Sequence, residues 1–544
     1  MILFRKLSIT GLVVGTFFTA LSLTPSLLPR EDVLQGITTG LSFTVGYALG
    51  VLIIWLWHFF ELPDISPRIL KYLKYTTIGI CIITMILFLW QAVGWQNSLR
   101  ALMDIEETAS IRPVLITIVA GVIFLTLLGF ARLFHLTFRT ITLRLQQYVP
   151  PRVSIVSGLL ASFFIFWAII DGVFFTAVLR TADSTYHYID SRTHPEFEQP
   201  YDSLRSGSEQ SLVLWEDMGM RGRQYLDSGP TREDIKVFTD QPVKSPIRVY
   251  AGIQSEESLE ARAELALAEL KRVNAFDRSV LLLITPTGSG WVDPKAIDPL
   301  EYLFRGDIAS VAVQYSYLPS FLTIAFENEF GTELSRILFR KIYDYWSDLP
   351  ENERPYLYLH GLSLGAQISD RSFDLFDIIE DPFNGVLWSG PPFRMSTWQR
   401  VTEQRDPRSP AWLPKFRDGE VVRFANQDGG LKNAASEWGD FRIAFLQYAS
   451  DPVTFFDPRY ATRQPEWLQS PRGPDVTEYL RWYPFVTMLQ LFTDMSAGTA
   501  PDGYGHQYAA EHYFDSWLAL TEPSGWSDDE LSNLRQMLKS IEEW

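Results

Sequence analysis

Five long apolar runs fill the first third of the chain, at 7–27, 37–60, 75–95, 114–130 and 153–179. Each is long enough to cross a hydrocarbon layer of about 30 Å as a helix, the fourth only just. The first run ends in Thr24-Pro25-Ser26-Leu27-Leu28-Pro29-Arg30 instead of a small-x-small cleavage site, and more spans follow, so it reads as a retained helix. The pattern then changes. Residues 181–210 are rich in Asp, Glu, Ser, Thr and His, with Pro195 and Pro200, and lack a sustained apolar period, as a connector would. Beyond them, short apolar runs alternate with helical periods. Strands are expected at 247–252, 280–285, 310–315, 356–360, 386–389 and 442–447, and helices at 255–273, 333–346 and 365–379. Ser258 is the expected cap of the first of these helices. Runs such as Val280-Leu-Leu-Leu-Ile-Thr285 are apolar throughout, as strands buried on both faces are. The alternation predicts a multi-span α-helical membrane domain at 1–180, a linker and domain entry at 181–245, and a mostly parallel sheet with helices on both faces at 246–544.

Charge separates the same two parts. Residues 1–180 hold 13 Lys and Arg against 8 Asp and Glu, and the remainder holds 34 against 56. A net charge of −17 argues against nucleic acid as a partner, because phosphate binding needs a basic surface. Cys81 is the single cysteine and lies in an apolar run, which excludes an internal disulfide and a thiolate metal cluster. With the N-terminus cytoplasmic, the inner segments carry Arg5, Lys6, Arg68, Lys71, Lys74, Arg132, Arg139, Arg144 and Arg152, and the outer loops carry only Arg30, Arg100 and Arg112. Positive residues favour the cytoplasmic side, so five spans would put everything after residue 179 outside the cytoplasm of a bacterial inner membrane. Gly36-x3-Gly40 and Gly46-x3-Gly50 have the spacing that lets helices approach closely; the alternative is glycines merely scattered through a Gly-tolerant membrane helix. Asp171 in the fifth run is an ionisable group at membrane depth, either a hydrogen-bonded structural residue or a functional one. The stretch 131–149 intersperses Arg132, Arg139 and Arg144 among apolar residues, as a continuation of the fourth helix that then lies on the inner membrane surface would.

Candidate chemistry sits at expected strand ends, where open parallel sheets place their sites. Gly361-Leu362-Ser363-Leu364-Gly365 follows a strand and opens a helix, the context of a nucleophile elbow. The alternative is that Ser363 merely caps that helix. A serine nucleophile needs a base, and the order Ser, Asp, His leaves His506 and His512. His506 lies in the Gly-rich Asp502-Gly-Tyr-Gly-His-Gln-Tyr508, suited to an exposed imidazole, whereas His512 falls in an expected helix and His360 sits on the strand before the elbow. Asp451, just past the 442–447 strand, is the expected acid, with Asp457 the runner-up. Oxyanion donors are expected from the backbone of Leu364 and from Thr287, Gly288 or Ser289 in the loop after 280–285. No cofactor or metal is implied.

These motifs resemble the bacterial membrane α/β-hydrolase family 9 together with its N-terminal membrane domain. The resemblance runs through Ser22-Leu-Thr-Pro-Ser-Leu-Leu-Pro-Arg30, Pro246-Ile-Arg-Val-Tyr-Ala-Gly252, Thr285-Pro-Thr-Gly-Ser-Gly-Trp291, Gln314-Tyr-Ser-Tyr-Leu-Pro-Ser320, Leu446-Gln-Tyr-Ala-Ser-Asp-Pro452, Arg481-Trp-Tyr-Pro484 and Gly503-Tyr-Gly-His-Gln-Tyr508. It implies an α/β-hydrolase fold with Ser363 as nucleophile, Asp451 as acid and His506 as base. The family's pattern has Glu where Leu362 stands and His where Tyr504 stands, differences that bear on substrate range. The expected function is a membrane-anchored serine hydrolase or acyltransferase using an acyl-enzyme. The bilayer is its expected partner, and a lipid-like or envelope acyl ester its substrate class. A catalytically inactive envelope assembly or sensing protein is the competing reading, and a transporter with an accessory domain the weakest.

Overall fold

The computed structural model describes residues 7–63, 66–175, 190, 197–318, 328–432, 434–496 and 500–541. The chain packs as two units. One comprises Met1–Thr181 with Phe456–Ser470 and Pro474–Pro501; the other comprises Ala182–Phe455, Pro471–Gly473 and Asp502–Trp544.

The first unit is helical: α1 Ile9–Ser22, α2 Asp32–Phe59, α3 Pro67–Leu102, α4 Pro113–Leu145 and α5 Pro151–Trp167, the last continuing as a π-helical stretch Ala168–Phe175. Among the described residues, four helices, α2 to α5, are long and apolar enough to cross a membrane. The run at 7–27 differs from the expected full span: α1 has 14 residues, about 21 Å of helix. It stops at Ser22 because Pro25 disfavours helix at Thr24 and cannot supply the next backbone donor. α4 runs straight through the basic stretch at 131–149 as far as Leu145, about 20 Å beyond Arg132.

The glycine pairs of α2 face two different neighbours. A Cβ on Gly36 or Gly40 would stand 2.7 Å from Val119 or 2.8 Å from Ile123 of α4. A Cβ on Gly46 or Gly50 would stand 2.9 Å from Phe18 or 2.7 Å from the Gly11 Cα of α1. Only the missing side chains allow this approach. Asp171 falls within the π-helical stretch, but its side chain lies outside the described residues.

The second unit is built on seven parallel strands: β1 Ile247–Ala251, β2 Val280–Thr285, β3 Ile308–Val313, β4 Tyr356–Leu362, β5 Gly385–Ser389, β6 Val422–Ala425 and β7 Arg442–Leu446, in the order β1-β3-β2-β4-β5-β7-β6. β2 and β3 are buried at all six positions, as their unbroken apolar sequences require. Helix Leu259–Arg272 begins one residue after Ser258, whose hydroxyl accepts the Ala261 N–H. The helix expected at 365–379 is two pieces, Leu364–Ser369 and Leu375–Ile378. Between them, the Ser372 hydroxyl donates to the Ser369 carbonyl, and Asp374 accepts the Phe376 N–H, so side chains compete with the helical ladder. β6 was not expected from the sequence. It is a four-residue edge strand whose Arg423 turns back onto the Gly419 and Leu431 carbonyls.

Candidate active site

The elbow follows from two close approaches. A Cβ on Gly361 would stand 2.5 Å from the Gly365 carbonyl carbon, and one on Gly365 would run into the Thr285 carbonyl oxygen. The glycines therefore let β4 turn sharply into helix Leu364–Ser369 and let that helix lie against the end of β2. Between them Ser363 adopts φ 56° and ψ −122°, which L-residues rarely take. Its side chain makes no cap hydrogen bond, so the helix-cap alternative fails.

Three neighbouring strands end together here. Leu362 pairs with Ser389 and Ser389 with Leu446 in the sheet register. Ser363 N–H donates to the Ser389 carbonyl at 2.9 Å, and Gly390 N–H donates to the Leu446 carbonyl at 3.0 Å. A Cβ on Gly390 would lie 2.5 Å from His506 Cε1. Consecutive residues at the end of β5 thus touch Ser363 on one side and the His506 ring on the other.

Asp451 is wholly buried, and its Oδ2 lies 2.8 Å from His506 Nδ1. Oδ1 accepts Val453 N–H at 2.8 Å and Thr454 N–H at 3.4 Å, from the turn that opens helix Pro452–Phe455. With the Nδ1 proton directed at Asp451, Nε2 is the acceptor nitrogen. That Nε2 is buried and has no hydrogen-bond partner among the described residues. The loop carrying the imidazole is fixed on several sides. Gly505 N–H donates to Ser450 Oγ at 2.8 Å, Gln427 Nε2 donates to the Gly503 carbonyl at 3.0 Å, and Lys295 Nζ pairs with Asp502 at 2.6 Å. Gly503 and Gly505 take φ 88° and 58°, so the sharp loop depends on glycine at both.

The remaining candidates are placed elsewhere. His512 lies in helix Ala510–Thr521, with Nδ1 2.7 Å from the Tyr448 hydroxyl, and burial lowers its pKa to about 4. His360 Nδ1 is 2.8 Å from the Leu387 carbonyl, and burial likewise lowers its pKa to about 4. Asp457 caps the 3₁₀ turn Pro458–Ala461 and pairs with Arg459.

Among the expected oxyanion donors, Thr287 N–H is committed to the Trp291 carbonyl at 3.0 Å. Leu364 supplies the first N–H of its helix, and Gly365 packs on the Pro286 carbonyl, which brings the loop containing Gly288 and Ser289 alongside. Side chains absent from the sequence expectation hold that loop. Tyr315 donates to the Pro286 carbonyl, Tyr250 to the Gly290 carbonyl and Gln314 to the Ser289 carbonyl. The sequence expectation also missed Tyr508, whose hydroxyl donates to Asp451 Oδ2 at 2.7 Å. Its place two residues past His506 was the available signal.

An all-parallel sheet carrying a glycine-flanked serine elbow, with an aspartate–histidine pair at the adjacent strand ends, defines an α/β-hydrolase fold. The chain belongs to the alpha/beta-hydrolase family: the model of that family matches residues 247–534, and the model of its N-terminus matches residues 23–230. Neither the search of curated proteins nor that of solved structures gives a match.

Proposed function

We propose that the protein is a membrane-anchored serine hydrolase or acyltransferase working through an acyl-enzyme. The observation that carries this is the His506–Asp451 pair, with an unpartnered Nε2, beside the strained elbow of Ser363. Ser363 Oγ attacks an ester carbonyl carbon while its proton passes to His506 Nε2. Backbone N–H groups of Leu364 and of the Gly288–Ser289 loop hold the oxyanion. The imidazolium then protonates the leaving alcohol, and water or a second alcohol resolves the acyl-enzyme. The test is labelling of the full chain by an alkyl fluorophosphonate. Wild type should react at Ser363 and Ser363→Ala should not. Unlabelled wild type would instead favour an inactive hydrolase-fold module.

With the short apolar run at 7–27 crossing as well as the four long helices, the nine-to-three bias of basic residues supports a cytoplasmic N-terminus and a hydrolase unit outside the cytoplasm of a bacterial inner membrane. Tethering there favours lipid-like or envelope acyl esters as substrates. Alkaline phosphatase fused after Arg180 should be active, and a reporter that fluoresces only in the cytoplasm should stay dark there. The reverse pattern would overturn the orientation.

A further inference from the structure

Tyr508 shares an acceptor with the catalytic base. Its hydroxyl donates to Asp451 Oδ2 at 2.7 Å, and His506 Nδ1 meets the same oxygen at 2.8 Å. A carboxylate oxygen has two in-plane lone pairs, so both short bonds can form together. Thr454 Oγ1 adds a longer contact to Oδ2 at 3.2 Å. The phenol ring has little freedom. It is 2% exposed, stacks on Tyr448 with centroids 4.4 Å apart and packs against Tyr513 at 6.1 Å. On another side, a Cβ on Gly390 would stand 3.0 Å from its Cε2.

We propose that Tyr508 is a positioning residue of the triad: it fixes the plane of the Asp451 carboxylate and withdraws charge from Oδ2, and so sets the pH at which His506 becomes competent as a base. The proposal rests on the serine hydrolase reading above. Burial holds the Tyr508 phenol well above its usual range, so the hydroxyl keeps its proton and donates it. The other titratable groups facing this cluster are Tyr448, Tyr513, beyond Tyr448 His512, and beyond Tyr513 the carboxyl of Asp293, which burial raises to about 7 in wild type and variant alike. Burial pushes Tyr513 up and His512 down, so both are uncharged around neutral pH. The sign of the effect follows. A donor on Oδ2 weakens the negative potential that stabilises imidazolium, so its removal favours imidazolium and moves the acid limb of reactivity to higher pH.

The experiment needs no known substrate. The rate constant for alkyl fluorophosphonate labelling of Ser363 is measured against pH on the full chain in detergent. Tyr508→Phe keeps the ring and loses the hydroxyl. Its acid limb should rise by about half to one pH unit, and its plateau rate should fall about threefold to tenfold. A ring-monofluorinated tyrosine placed at position 508 is a stronger donor and should move the limb the opposite way. This second substitution also covers the case in which Tyr508→Phe does not fold. If wild type is labelled and the limb stays put in whichever of the two proteins fold, Tyr508 only packs and the inference is overturned. If wild type is not labelled at Ser363, the serine reading fails and takes this inference with it.

Discussion

His360 and His512 are both hydrogen-bonded through Nδ1 to neutral partners, a carbonyl and a phenol. Burial keeps both imidazoles uncharged at neutral pH, which suits packing and not proton transfer. His506 differs in two respects: its Nδ1 partner is a carboxylate, and its ring is 26% exposed. In the proposed mechanism, charge that develops on His506 in the transition state is therefore compensated. His506→Ala should lower kcat by several orders of magnitude with little change in KM, since the loss falls on the transition state. Asp451→Asn should lower it by about 10⁴, because an amide neither enforces the productive tautomer nor stabilises imidazolium. The double variant should be scarcely worse than His506→Ala, and His512→Ala should keep most activity. Turnover of a chromogenic ester, or the labelling rate if no ester is accepted, measures each. A dead His512→Ala beside an active His506→Ala would reverse the assignment.

Among the secondary-structure elements, legibility followed burial. β1 to β5 and β7 are short, mostly apolar runs with turn residues between them, and a strand buried on both faces must look like that. β6 carries no such signature because it is short, lies at the edge and contains an arginine whose partners lie in the loops at 419, 431 and 436. The elbow was legible because two glycines at fixed spacing are the local solution to two steric collisions. Tyr508 was not, since a tyrosine beside a helix start looks the same whether it fills a core or holds a carboxylate. The commitment of Thr287 N–H to Trp291 was also hidden, because a loop sequence does not reveal which of its amides closes its own turn. In the helical unit, the glycine spacings announced close packing correctly but did not say that one pair faces α4 and the other α1.

For the whole molecule, sequence order and packing diverge between Asp451 and His506. After Phe455 the chain leaves the hydrolase unit, and apart from Pro471–Gly473 it returns only at Asp502, four residues before His506. The intervening segment is anchored within the helical unit by helix Val486–Asp494. Arg30 Nε donates to Asp494 Oδ1 at 2.9 Å, with neither side chain exposed, and Leu27 N–H donates to Oδ2 at 3.1 Å. Gln490 Nε2 donates to the Thr24 carbonyl at 2.9 Å, and the Thr38 and Thr493 hydroxyls meet at 2.8 Å. Removing one member of a buried pair leaves the other charge uncompensated, at a cost of about 3–5 kcal/mol, whereas replacing both with apolar groups is often nearly neutral. Arg30→Met should therefore lower the melting temperature of the detergent-solubilised chain by several degrees, and Arg30→Met combined with Asp494→Leu should recover most of it. Because this segment covalently links Asp451 to His506, Arg30→Met should also slow fluorophosphonate labelling of Ser363, although Arg30 and Ser363 belong to different units. The double variant should label faster than Arg30→Met alone. Unchanged melting and labelling in Arg30→Met would show that the buried pair neither holds the segment nor supports the Asp451–His506 contact on either side of it.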